Sequence, residues 1–426
     1  MQPYYFPFVQ PSGPHLQGFF DYRPRNEQEA MVSAFSNDWG ATWHFTGMAL
    51  ALNPYCPSDP TDASNNNITV NGVETPYGSS SANAADNGLG HPFVMTVGGV
   101  TRLYQLNRAN GHIDVDGLVV HTAGFPAYGY VSPLASAVNG DPGGYPALTP
   151  GASATTGLLS PDAILGAVPM GNVTAVIYVE KQLKADNKPP YNQFPYNYQV
   201  CPPTPPFALT NLINGTPRSA NHDVTTVRVA TTTDGINFKD VGKATGLFDP
   251  SINDNHKTRY LGSGSIIRLA DGRYGMFFGG DNCLDNDSDA FHYLGYAETQ
   301  NVVKGAADLQ SWTVFNDLDH PILSTDTVTG PSPIGPIPAN PPVVTVSGAD
   351  ALTPAQVAPW TPPGAGYNTN FFSGRSYGPQ ALYTDASTLT IVFAGYNTPQ
   401  PSNNLGDYRT IGRFQLQVPA GYFSPN

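Results

Sequence analysis

A chain of 426 residues with 32 acidic and 19 basic side chains carries a formal net charge of −13, which repels polyanions and argues against a nucleic-acid partner. No segment approaches the roughly 20 consecutive apolar residues of a membrane-spanning helix. The 44 Gly and 42 Pro are spread along the chain and only 12% of residues are charged, which disfavours long helices, predicts frequent turns and leaves a neutral polar surface suited to hydroxylated ligands.

Taken in chain order, the segment from Met1 to Pro7 has neither a basic n-region nor an apolar h-region. An exported chain would therefore have lost its leader, and the composition favours that reading: a secreted or periplasmic protein. Residues 1–20 read as an N-terminal extension to a single domain spanning residues 1–426. Gly18-Phe-Phe-Asp-Tyr22 and Ala30-Met-Val-Ser-Ala-Phe-Ser36 predict two strands. Cys56 and Cys201 sit in Pro-rich loops and form the preferred disulfide, leaving Cys283 as a free thiol. No CxxC pair accompanies them, so a zinc site is not expected.

A repeat then emerges. It combines a small or turn residue, an apolar strand, a turn and a second aromatic-rich strand. Its copies begin at His91-Pro-Phe-Val, at Ser160-Pro-Asp-Ala-Ile-Leu, at Gly262-Ser-Gly-Ser-Ile-Ile and at Gly378-Pro-Gln-Ala-Leu. Third strands follow some pairs, at Val224–Ala230 and Tyr293–Thr299, and the segment from Tyr408 to Gln417 is placed to close a ring. Residues 122–157 and 326–369 read as long inserted loops. An all-β propeller of five blades is the expected architecture, because blades around a central channel leave no long exposed edge. A β-sandwich with a second β domain is the alternative.

Ser36-Asn-Asp-Trp-Gly-Ala-Thr-Trp43 resembles the Asp-box of sialidases and related propellers. Asp38 is expected to cap the turn, Gly40 to take positive φ and Trp43 to pack between strands. Thr233-Asp-Gly-Ile-Asn-Phe238 is a weaker relative at the corresponding hairpin of another repeat. In that family the motif marks the fold and lies away from the active site.

The wider series Ser160-Pro-Asp162, Ser263 to Phe278, Gly295-Tyr-Ala-Glu-Thr299 and Asp308 to Thr313 resembles the five-bladed glycosidases, the arabinanase/xylosidase and invertase/levansucrase groups. The resemblance implies a central pocket lined by the innermost strands, with carboxylates as base or nucleophile, transition-state stabiliser and acid. Asp162 falls where such families place their second-blade Asp. His91 and Ser263 stand where an Asp and the acid Glu are expected. Asp21 and Glu180 are the further carboxylate candidates, with His91 as an alternative base. Substrate-binding candidates are Arg259, Ser263, Arg375 and Gln380, the arginines by analogy with the sialidase cluster that pairs with a carboxylate.

Asp285, Asp287 and Asp289 alternate in an acidic loop, a pattern that suits a Ca²⁺ site as well as a solvated loop. The Gly111-His-Ile-Asp-Val-Asp-Gly117 stretch is a further polar cluster that a hairpin turn explains equally well. The leading functional expectation is a glycoside hydrolase-like enzyme acting on an oligo- or polysaccharide. The alternatives are a non-catalytic carbohydrate-binding or surface-interaction propeller, and a hydrolase or lyase of another class using a His base.

Overall fold

Runs of Val, Ile, Tyr and Phe bounded by Gly, Pro and Asn become antiparallel strands in the computed structural model. It describes residues 4–12, 15–22, 30–50, 67–70, 73–76, 88–108, 116–121, 158, 161–182, 212–213, 216–217, 224–247, 260–281, 293–317, 321–324, 345–347, 375–396 and 409–425.

The first sheet is β1 (Tyr4–Ser12), β2 (His15–Tyr22), β3 (Ala30–Ser36) and β4 (His44–Leu50), in that order. A two-stranded hairpin follows, β5 (Asn67–Val70) with β6 (Val73–Pro76). The second sheet is β7 (Gly88–Val97), β8 (Val100–Arg108) and β9 (Asp116–His121). In the third, β10 (Pro161–Met170) and β11 (Val173–Gln182) precede the small hairpin β12 (Leu212–Ile213) and β13 (Thr216–Pro217). The sheet then continues with β14 (Val224–Thr232) and β15 (Phe238–Lys243). The fourth is β16 (Tyr260–Arg268), β17 (Tyr274–Asp281), β18 (Tyr293–Thr299) and β19 (Trp312–Asn316), with β20 (Leu323–Ser324) also paired to β18. The fifth runs β21 (Thr345–Ser347), β24 (Arg409–Gln417), β23 (Thr388–Tyr396), β22 (Arg375–Asp385) across its width.

Among the described residues, five sheets thus have three or more strands, and their lead strands β1, β7, β10, β16 and β22 touch in a closed cycle. The architecture is a β-propeller. Each lead strand is an edge strand, hydrogen-bonded to one neighbour only. That position explains their prolines: Pro7 and Pro11, Pro92, Pro161 and Pro169, and Pro379 all fall in lead strands. A missing N–H is tolerated where no ladder partner needs it.

Stacked sheets bury both faces, so the second strands lose the alternation of a half-buried strand. On β11, Val176 and Tyr178 enter the core shared with the first and second sheets, whereas Ala175, Ile177 and Val179 enter the core shared with the fourth. β17 repeats the arrangement, Met276 and Phe278 facing the third sheet and Phe277 the fifth. Full burial of each such aliphatic or Phe side chain contributes about 1.5–3 kcal/mol.

One expectation is corrected. Residues 4–12, placed within an N-terminal extension, form the lead strand of the first sheet. The C-terminal strand is placed as expected: β24 pairs with β23 and β21 in the last sheet, and its Ile411 packs against the first. Closure comes from side-chain packing, with Val9, Phe20, Val32 and Trp43 of the first sheet against Leu382, Val392 and Ile411 of the fifth. Beyond β24 the tail crosses to the fourth sheet. There the Ala270 N–H donates to the Tyr422 carbonyl at 2.9 Å and the Ser424 N–H to the Arg268 carbonyl at 2.9 Å.

Residues 122–157 lie outside the described residues, as do 326–369 apart from β21. Cys56, Cys201 and Cys283 also lie outside them. No helix of the described residues is long and apolar enough to cross a membrane.

Candidate functional site

The lead strands share one irregularity. The ladder slips between Tyr5 and Phe8, Gly90 and Phe93, Pro161 and Ala163, Leu261 and Gly264, and Tyr377 and Gln380. A bulge therefore sits near the start of each strand that faces the centre. Bulges bend a strand and re-aim a side chain, and they recur beside active sites.

Three sequence-predicted residues fall on these bulges. Asp162 is the extra residue between Pro161, paired with Glu180, and Ala163, paired with Val179. His91 lies in the bulge of β7, buried and with φ of 50°. Ser263 lies in that of β16, buried, and its hydroxyl has no hydrogen-bond partner among the described residues. Asp21 stands close by in the chain order of the ladder, its backbone paired with Tyr5 beside the bulge of β1.

Gln380 follows the fifth bulge directly. It is buried, and its amide donates to the Gly264 carbonyl at 3.0 Å, while the Ala381 N–H donates to Ser265 Oγ at 2.8 Å. The structure thus brings Gln380 beside Ser263's neighbour, and gives its N–H₂ a structural task in stitching β22 to β16.

Glu180 lies in an ion pair. Arg228 Nη1 on β14 donates to its carboxylate at 3.1 Å, and the same guanidinium holds Asp240 on β15 through two bonds of 2.7 and 3.1 Å. The network ties the second, third and fourth strands of one sheet through the Glu180 and Asp240 carboxylates. Glu298 is committed as well, accepting from Arg273 Nη1 at 2.5 Å, Tyr296 at 2.9 Å and Tyr422 at 2.6 Å in a fully buried setting. Burial and then the adjacent Glu298 charge push the Tyr296 phenol far up, and Tyr422 is pushed up to about 12, so both hydroxyls stay protonated donors.

Arg375 opens β22, its backbone paired with Tyr396. Arg259, Asp285, Asp287 and Asp289 lie outside the described residues. No group of three His, Cys, Asp or Glu suited to a metal occurs among the described residues.

The second halves of all five lead strands line a cavity of about 530 Å³. Three of the bulges adjoin it, since Phe8, Phe93 and Gln380, where pairing resumes after the slips of β1, β7 and β22, belong to its lining. The cavity walls are mainly apolar, including Phe8, Phe93, Met95, Leu165, Ile266 and Leu382. Among the described residues its lining contains no carboxylate, and Arg268 is its one charged side chain.

No family model matches the chain. No curated protein matches it either. Solved structures do show similarity. A GH43_1 enzyme from Xanthomonas citri complexed with xylose is 11% identical with a TM-score of 0.46, over 100% of this chain and 90% of that one. An α-L-arabinofuranosidase from Podospora anserina in complex with cellotriose is 8% identical with a TM-score of 0.44, over 98% and 92%. A family 117 glycoside hydrolase of Zobellia galactanivorans is 11% identical with a TM-score of 0.40, over 99% and 88%.

Away from the channel, Ser36–Trp43 joins β3 to β4 and Thr232–Phe238 joins β14 to β15, the third and fourth strands of their sheets. Asp38 accepts from the Thr42 N–H at 2.9 Å and the Thr42 hydroxyl at 2.6 Å, and Ser36 Oγ accepts from the Gly40 N–H at 2.8 Å. Gly40 has φ of 80°, and Trp43 is buried edge-on against Phe20. These are the turn-capping and packing roles read from the sequence. What that reading missed is the Glu298 network and the cavity rim of Arg268 and Tyr274. Neither has a local signal, since each joins residues whose proximity depends on strand pairing.

Proposed function

We propose that this chain is a secreted glycoside hydrolase-like propeller that cleaves glycosidic bonds in an oligo- or polysaccharide, with its site at the bulged end of the channel. The observation that carries the reading is the shared bulge, which sets Asp162, His91 and Ser263 at corresponding points of three lead strands. A buried hydroxyl without a partner costs about 1–3 kcal/mol, so Ser263 is suited to receive a sugar hydroxyl. Asp162 serves as the principal carboxylate, with Asp21 as second carboxylate and His91 as a hydrogen-bonding or proton-transfer group. Arg259 and Arg375 remain candidates for substrate contact.

The test is Asp162→Asn assayed by reducing-sugar release from any substrate the parent chain cleaves. The expected result is a fall of roughly 10²–10⁴-fold with a melting temperature within about 2 °C of the parent. Unchanged turnover removes Asp162 from the reaction.

One observation favours a second reading, a carbohydrate-binding propeller without catalysis: Glu180 and Glu298, the glutamates whose side chains are described, are both ion-paired. That reading expects saturable glycan binding by the parent chain with no release of reducing ends.

A further inference from the structure

The two outer hairpins carry the same hydrogen bonds on loops of different length. Ser36 Oγ and Thr232 Oγ1 each donate to the aspartate two residues on, at 2.8 and 3.1 Å. Each also accepts from a glycine N–H at 2.8 Å, that of Gly40 or Gly235. Each aspartate then accepts from the backbone N–H and the side chain of one further residue, Thr42 or Asn237. A buried aromatic closes both loops, Trp43 or Phe238. Matched bond for bond, Asp234 is followed directly by Gly235, whereas Trp39 stands between Asp38 and Gly40. Trp39 is therefore one residue more than this turn needs.

The extra residue is placed at a cost. Trp39 has φ of 57°, a left-handed backbone that a bulky side chain rarely takes. Its indole gains little burial in return. At 36% it is exposed, and it is the one aromatic among the exposed large hydrophobics of the described residues, the others being Val100 and Val302. Strained backbone is retained where function uses it, and an exposed ring is used by what it meets outside the chain.

The surroundings narrow the partner. Asn37 and Thr42 are exposed, neutral and polar, and the Asp38 carboxylate is held by Ser36 and Thr42. An aromatic flanked by neutral hydrogen-bonding groups suits a pyranose ring, which has an apolar C–H face and a hydroxyl edge. A stable protein interface needs a contiguous patch of about 1,200 Å² or more. A nucleobase also stacks on such a ring, but it is carried by a polyanion that the net charge of −13 repels. Position separates this surface from the bulged end. Ser36 pairs with Leu16, and Leu16 with Pro11 near the end of β1, while the β1 bulge lies between Tyr5 and Phe8 near its start.

We propose that Trp39 is a docking platform for a neutral polysaccharide of pyranose rings, a second carbohydrate site at the end of the first sheet away from its bulge. It holds the polymer without cleaving it, and it stands whether or not the bulged end is catalytic.

The experiment is affinity electrophoresis of the full chain in native gels containing mixed-linkage β-glucan, arabinoxylan or galactomannan, with polygalacturonate as the anionic control. At least one neutral glycan should retard the parent, and polygalacturonate should not. Trp39→Ala should weaken that retardation by about three- to tenfold, and Trp39→Phe by less. Trp39→Gly should lose it equally yet melt no lower than the parent, because glycine relieves the backbone strain. Asp162→Asn should be retarded as the parent is, so loss of glycan cleavage and loss of this docking are read independently. Equal retardation of the parent and Trp39→Ala, or no retardation of the parent by any neutral glycan, would overturn the proposal. So would a Trp39→Gly melting temperature more than about 5 °C below the parent, which would make the ring part of the packing. Self-association of the parent that Trp39→Ala abolishes, without retardation by glycan, would assign the ring to a protein contact instead.

Discussion

The second and fifth lead strands build the same bulge from different residues. In β22 it is Gly378-Pro379, with Gly378 at φ of 63°; in β7 it is His91-Pro92, with His91 at φ of 50°. Both residues take left-handed backbone immediately before a proline. Glycine accepts that conformation without steric penalty. A side-chain-bearing residue does so at a cost of about 1–2 kcal/mol, although histidine is among those found there more often. Sterics therefore account for Gly378 and leave His91 unexplained. The proposed carbohydrate site supplies a use for the imidazole ring, and strained backbone is commonly held at such sites.

The largest effect should come from moving the histidine to the glycine's place. Gly378 is buried, so Gly378→His adds overpacking to backbone strain and should cost about 2–4 kcal/mol in chemical denaturation. A change below about 1 kcal/mol would show that this bulge is free to re-form.

The two outer hairpins offer a second matched pair. Asp234 accepts four hydrogen bonds, from Thr232, Ile236 and both nitrogens of Asn237, against three for Asp38. Asp234→Ala should destabilise by about 1–2 kcal/mol and Asp38→Ala by about 1 kcal/mol. Equal losses would mean that a single bond dominates each turn.

The hairpins also set a pH response. Burial opposes the charge on Asp234, but the bonds from Asn237, Ile236 and Thr232 outweigh it and bring its carboxyl down to about 2. A carboxyl lowered on folding stabilises the fold above its unfolded value of about 3.9, and that contribution disappears as pH falls through 2. Denaturation at pH 5 and pH 2.5 should therefore show a smaller acid loss in Asp234→Asn than in the parent. An identical loss would assign the response to other carboxylates.

The smallest change in stability is expected for His91→Gly, less than about 1 kcal/mol, because relief of strain offsets the entropy of a more flexible chain. Its glycan cleavage should nonetheless fall, by roughly 10²-fold. A variant that is both stable and fully active would return His91 to the status of a tolerated irregularity.

Much of the ring was legible before any coordinates. The Gly262–Gly280 segment reads as two strands around Ala-Asp-Gly and forms β16 and β17 around that turn. Ser36–Trp43 reads as a capped hairpin and has the expected bonds. The first lead strand was misread because Pro7 and Pro11 interrupt it, and a proline inside a run normally argues against a strand. Only the discovery that β1 is an edge removes the objection. The Glu180 ion pair had no local signal for a related reason: a carboxylate at a strand end looks solvated until the Arg228 of another strand is placed beside it.

The residues by themselves therefore determined what depends on near neighbours: strand type, turn chemistry, the capped hairpins and the repeated start of four of the five lead strands. Tertiary structure decided which strands are edges, which glutamates are already paired and where the channel turns apolar. The physical reason is range. Turn geometry and propensity act over a few residues, whereas an ion pair such as Arg228–Glu180 joins positions 48 residues apart and exists only after the sheet has formed.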